Sequence, residues 1–387
     1  MNNNKSLSGS RSLDFWLLGG ASVFIYLVLN LIYFLKIENI PGISEYFTSM
    51  AGTMFILAAL CNNPHFMASY KMAYFRGKKQ IIDNYLQLLL YPALLIITIL
   101  FSYFTFNTAI PIWLENILPN INLFDYKTLG ALLLGSMVNM MFLTVGWHYA
   151  KQTFGASMVY AAYDKYRFNK IEKNLLRYSL LALWVLSFTS ANLATTILEF
   201  SGLTYQGFNL PSPVNNIALI ICNLMIGGLF LMFVFKYLKE KIIPSINMLI
   251  PIVAMYIWFY PGLSLYVFSF FLVPFFHSLQ YLVFTYKVEK ESILEKANIL
   301  EKHESERLIF IKKYLNSFSF VCLTLILAGW LSFEMIPRLY DGAHSTESFF
   351  GFGFFFVAAT LFINIHHYFI DNVLWGFNGE NIKKLMR

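Results

Sequence analysis

Seven histidines punctuate this chain, and five of them, His65, His148, His277, His366 and His367, stand inside apolar runs. Polar groups in such surroundings are costly and usually face a bundle interior or a wet cavity. Neutral imidazole is the commonest metal ligand in proteins, and iron, copper, zinc and nickel all accept it. Each of the five has polar company at helical spacing. Asn62-Asn63-Pro64-His65 sets a helix-breaking proline beside an imidazole. Lys151 and Gln152 follow His148 by three and four residues, hence on its helix face, and Gln280 follows His277 by three. Asn364, His367 and Asp371 share one face, from which His366 is turned by about 100°. A carboxylate or amide one turn from an imidazole can hold its second nitrogen and fix its tautomer. The candidate metal ligands are therefore His65, His148, His277, His366 and His367. Asp371, Lys151, Gln152 and Gln280 are the candidate catalytic or orienting groups, with Asp371 also able to ligate directly. Tyr149 and Tyr368 are expected to anchor at the membrane interface as aromatic-belt residues.

The elements that must position these side chains are apolar helices. The chain has 387 residues, 58% hydrophobic and 13% charged, whereas a soluble domain is about a quarter charged. The expected fold is all-α, a polytopic transmembrane helical bundle of about ten spans with both termini cytoplasmic. The segments, each near the roughly 20 residues a helix needs to cross the hydrocarbon, run approximately 13–35, 46–70, 85–107, 128–149, 178–198, 216–235, 245–260, 263–286, 315–335 and 349–375. Basic residues cluster after every even-numbered segment and at both ends of the chain, while the alternate loops are poor in them, as the positive-inside rule requires. A cytoplasmic or inner membrane of a bacterium is the expected location. Tyr260-Pro261-Gly262 reads as a tight turn between the seventh and eighth segments. Residues 287–313 form a charged cytoplasmic helical loop after the eighth, best read as helix extending beyond the bilayer. His65, His148, His277 and the His366-His367 doublet fall in the cytoplasmic halves of four segments that all run inward.

Other chemistry is excluded. The net charge of +7 sits between apolar segments and is no nucleic-acid signal. The 3 cysteines lie far apart in apolar runs, which argues against a disulfide framework or a thiolate site. Walker and dinucleotide fingerprints are absent. The spacing does not reproduce the paired HxxxH and HxxHH boxes of membrane desaturases and hydroxylases, and HExxH is absent; only the His366-His367 doublet stands. The functional expectation is a histidine-cluster metalloprotein holding iron, with copper or zinc as alternatives. It would act as an oxygenase, desaturase or hydroxylase on a lipid or other apolar substrate, with a separate cytoplasmic electron donor. A proton- or ion-coupled transporter built on helices broken at Pro64, Pro92 and Pro274, and a structural protein with a polar packing seam, are the competing classes.

Overall fold

The computed structural model describes residues 5–37, 40, 43–113, 128–193, 197–263, 269–299, 309, 323–376 and 379–387. Helices α1 (Arg11–Phe15) and α2 (Ala21–Phe34) are joined by a π-helical turn, Trp16–Gly20. There follow α3 (Ile43–Tyr74), α4 (Lys78–Asp83), a second π turn (Leu86–Leu90) leading into α5 (Tyr91–Phe104), α6 (Leu129–Tyr163) and α7 (Lys170–Ala191). A hairpin of β1 (Ile197–Phe200) and β2 (Leu203–Gln206) precedes α8 (Ser212–Glu240), α9 (Ile246–Phe259) and α10 (Ser269–Ile299). The chain ends with α11 (residues 323–330), a third π turn (Leu331–Met335), α12 (Ile336–His344), α13 (Thr346–Phe350), α14 (Phe354–Leu374) and α15 (Glu380–Leu385).

Among the described residues, five helical stretches are long and apolar enough to cross a membrane: Arg11–Phe34, Leu86–Phe104, Leu129–Tyr163, Ser212–Glu240 and Phe354–Leu374. They carry exposed large apolar side chains such as Leu27, Phe34, Ile97, Phe104, Leu224 and Phe230, of the kind that mark contact with lipid or a partner when they cluster. α3 and α10 are 32 and 31 residues long but fall outside that group. They carry the polar residues Asn62, Asn63, His65 and Ser69, and His277, Ser278 and Gln280.

Several boundaries differ from expectation. α6 continues past Tyr149 to Tyr163. α7 stops at Ala191, and Ile197 and Leu198 pair in the hairpin instead. Residues 337–348, expected as loop, are largely helical. Tyr260-Pro261-Gly262-Leu263 forms a turn, with Gly262 at φ 84° and Leu263 N–H donating to Tyr260 O at 3.3 Å. Pro then positive-φ Gly at the two central positions is the type II pattern, so α9 and its successor are not one kinked helix. α10 carries its helix through to Ile299; the rest of 287–313, including His303, lies outside the described residues apart from Ile309.

α3 packs along α10, and α14 lies against both α3 and α6. Gly130 on α6 lets α5 approach so closely that a Cβ there would sit 2.2 Å from Ser102 O. Gly329 on α11 meets Asn63 O in the same way, at 2.9 Å. Among the described residues four buried apolar clusters form, and two of them flank the histidines. One includes Leu134, Val138, Phe354 and Leu361; the other includes Met72, Tyr160, Tyr281 and Ile370. His148 and His367 stand between these clusters along α6 and α14.

Candidate metal centre

Four helices each deliver one buried imidazole to a single point: His65 from α3, His148 from α6, His277 from α10 and His367 from α14. One ring nitrogen from each lies within 4.8 Å of the others. His65 Nε2 and His367 Nε2 are 2.8 Å apart, and His148 Nε2 and His277 Nε2 are 3.0 Å apart. A tetrahedral ion with bonds of about 2.0–2.1 Å needs nitrogens about 3.4 Å apart, a spacing these rings bracket.

The groups behind the rings decide where their protons lie. His65 Nδ1 is 3.1 Å from the Asn62 carbonyl. A carbonyl only accepts, so Nδ1 carries the hydrogen and Nε2 presents a lone pair inward. Asn62 Oδ1 and Ser278 Oγ stand at 3.2 and 3.3 Å from the same nitrogen. Pro64 deprives Leu60, not Asn62, of its intrahelical donor, so the carbonyl that holds His65 is not the one the proline frees. His148 Nδ1 faces Asp371 Oδ2 at 3.4 Å, which likewise turns its Nε2 lone pair inward. His367 Nε2 and His277 Nε2 stand about 3 Å from these lone pairs, a spacing that a shared proton or a bound cation satisfies, and the donor set fits a transition-metal ion. His367 Nδ1 is buried and without a hydrogen-bond partner among the described residues.

Asp371 is held in turn. Its Oδ1 accepts from Tyr281 OH at 2.9 Å, and it stands 3.7 Å from His367 Nε2 through Oδ2. The Tyr281 hydroxyl also accepts from Trp375 Nε1 at 3.1 Å and lies 2.8 Å from Ser69 Oγ. Gln152 Nε2 donates to His277 O at 3.1 Å and to Gln280 Oε1 at 2.8 Å, and Gln280 Nε2 donates to Leu18 O at 2.8 Å. The Leu18 carbonyl belongs to the first π turn, so this amide chain ties the broken first helix to α6 and α10.

The candidates therefore divide. His65, His148, His277 and His367 come together, with Asp371, Gln152 and Gln280 behind them. His366 is turned away: Tyr70 OH lies 2.8 Å from its Nδ1, and Gln87 O, in the second π turn, is 3.2 Å from its Nε2. Lys151 is exposed, reaches Asn372 Oδ1 and lies over the Trp147 ring. Tyr149 and Tyr368 are not interfacial anchors as expected. Both are buried, their rings packed on His277 and His148 at centroid separations of 4.0 and 4.9 Å. Ser69, Tyr281 and Trp375 escaped sequence reasoning, although they follow His65, His277 and Asp371 by four residues each, the spacing that found Gln152 and Asp371. Comparison with protein-family models, with curated proteins and with solved structures gives no match for this chain.

Proposed function

We propose that this chain is a membrane-embedded metalloprotein in which His65, His148, His277 and His367 together hold one transition-metal ion. The observation that carries this reading is the convergence of four buried imidazoles from four helices, with outward partners that turn the His65 and His148 lone pairs inward. Iron is the ion we assign, with copper and zinc accepted by the same donors, and the reaction class is oxidation, desaturation or cleavage of a lipid or other apolar substrate. An imidazole-bound ion in a dry pocket supplies Lewis acidity or one-electron chemistry when present. Asp371, held by Tyr281 and Trp375, orients His148; Gln152 and Gln280 fix the backbone beside His277. A redox role requires a separate electron donor on the cytoplasmic side. No observation favours the transporter reading: the histidines gather at one point instead of stringing out a path.

Elemental analysis of the purified protein tests the reading. About one transition-metal ion per chain is expected, falling close to zero in His65→Ala, His148→Ala, His277→Ala and His367→Ala. His366→Ala should keep its metal, because that ring serves Tyr70 and Gln87 instead. A metal-free wild-type protein, or loss of metal in His366→Ala equal to the others, contradicts it.

The bundle is further proposed to cross the membrane about ten times with both termini cytoplasmic, on the alternation of basic loops and the exposed apolar side chains. In a chain whose native cysteines are replaced, Ser345→Cys should react with a membrane-impermeant maleimide in intact cells. Lys79→Cys should react only after the membrane is opened. The reverse pattern overturns the orientation.

A further inference from the structure

Beside the histidine cluster lies a cleft of about 50 Å³, walled by the first π turn, α6, α9 and α10. That is space for about three or four water-sized groups. His277 forms part of its floor. The break in the first helix shapes the opposite wall: Gly19 adopts φ 154°, and a Cβ on it would meet Ile250 O at 2.9 Å. Met255, Trp258 and Phe276 make the apolar sides. The rim residues Ala254, Trp258 and Val273 are only half-buried, so the cleft reaches the outer face of the bundle.

The polar groups in this cleft are unequally satisfied. Gln280 is spent on Gln152 and Leu18, and Ser22 accepts from Trp258 Nε1. Tyr149 and Thr153 are 91% and 95% buried by accessible surface, being 9% and 5% exposed. Neither hydroxyl has a hydrogen-bond partner among the described residues, and neither does His277 Nδ1, whose Nε2 faces the cluster. None of these three atoms is sealed from the surface, so each offers unused hydrogen-bonding capacity to the cleft its residue lines. A ligand that can both accept and donate hydrogen bonds uses all three at once; a hydrocarbon uses none.

We propose that this cleft seats the oxygen-bearing end of a long-chain neutral lipid, of the alcohol class, between Tyr149, Thr153 and His277, with its apolar chain leaving past Trp258 into the bilayer. The volume suits a head of a few heavy atoms and excludes the whole chain. The seat lies against a ring of the cluster, so the carbon bearing the oxygen is the one brought nearest the ion. This names the substrate class of the metalloprotein reading and rests on that reading for its reaction, though not for its binding.

A hexadecanol carrying a diazirine tests it, added to the metal-loaded protein in lipid nanodiscs, irradiated, and mapped by peptide mass spectrometry. Labels are expected on the segments 255–259 and 273–276. Excess hexadecanol should compete at concentrations at least tenfold below those needed of hexadecane. Tyr149→Phe with Thr153→Val should cut labelling about tenfold while metal content stays at the wild-type level. Should that double variant fail to fold, the competition between alcohol and alkane decides alone. Equal competition by hexadecane, or labels spread over the lipid-facing surface, overturns the proposal. Site-specific labelling of a metal-free protein instead removes the metalloprotein reading and leaves the cleft.

Discussion

An imidazole offers an inward lone pair only when something outside takes its other proton, and in this molecule that role falls to the Asn62 carbonyl for His65 and to Asp371 for His148. Asp371 is buried and joined to Tyr281, so its oxygens are aimed at the rings and not at solvent. Second-layer partners of this kind typically account for 10–100-fold in metal affinity. Asp371→Asn keeps the shape but replaces one accepting oxygen by a donating amide, and should weaken metal binding by about 10–100-fold in a chelator competition. Tyr281→Phe, one step further out, should cost less. An Asp371→Asn protein that binds metal as tightly as wild type would show that the carboxylate only packs. At this scale the sequence was informative because helical spacing is geometric. A residue four after a ligand shares its face, which pointed to Gln152 and Asp371 and set His366 apart from His367. In the structure, however, Gln152 bonds the His277 carbonyl and Asp371 stands behind His148, each a histidine of another helix. The same rule reaches Ser69, Tyr281 and Trp375, yet these types are so common in apolar helices that spacing alone does not single them out. What each contact is depends on which helix lies opposite, and that is a tertiary fact.

The helices themselves were largely legible, because about 20 apolar residues between basic loops leave the chain few alternatives. Their breaks were not. The π turn at Trp16–Gly20 sits inside an unbroken apolar run, and the Gly19 backbone is set by the closeness of Ile250 in α9. The hairpin Ile197–Gln206 has strand-forming Ile, Leu, Phe and Tyr around Gly202 at φ 86°, a signal hidden by the apolar segment before it. The N-terminus of α14 is capped from a distance: Asp341 accepts from Phe355 N and Phe356 N at 2.8 and 2.9 Å. Close helix approach is equally invisible from composition. Gly227-Gly228 reads as a packing pair, yet among the described residues a Cβ at Gly227 would meet nothing and one at Gly228 only ordinary contact with Leu175, whereas one at Gly130 would strike the backbone of α5. Gly130→Ala should therefore lower the thermal midpoint in detergent, by an overpacking cost of about 1–3 kcal/mol. Gly227→Ala should leave it unchanged or raise it, since alanine favours helix by up to about 1 kcal/mol over glycine. Equal effects of the two would mean that α5 and α6 do not meet at Gly130.

Over the whole molecule, the two ends of the chain meet. Lys5 Nζ donates to Met386 O at 2.7 Å, and Tyr163 OH at the end of α6 donates to Leu385 O at 2.6 Å. Lys384 of α15 reaches Ser292 and Glu295 on α10, and Arg76 after α3 donates to Asn381. The C-terminal helix thus fastens the ends of three helices, α3, α6 and α10, that carry cluster histidines. Deeper in, His148 and His367 stand between two apolar clusters along α6 and α14, and all four imidazoles of the cluster are buried. Burying so many polar rings in an apolar interior costs several kcal/mol unless their nitrogens are satisfied, and a bound cation satisfies four at once. X-ray absorption at the metal edge of the purified protein tests that claim most directly. The predicted spectrum has a first shell of four nitrogens at about 2.0–2.1 Å with the outer-shell scattering of imidazole. A shell containing sulfur, or one built of oxygens with fewer than three imidazoles, would contradict it.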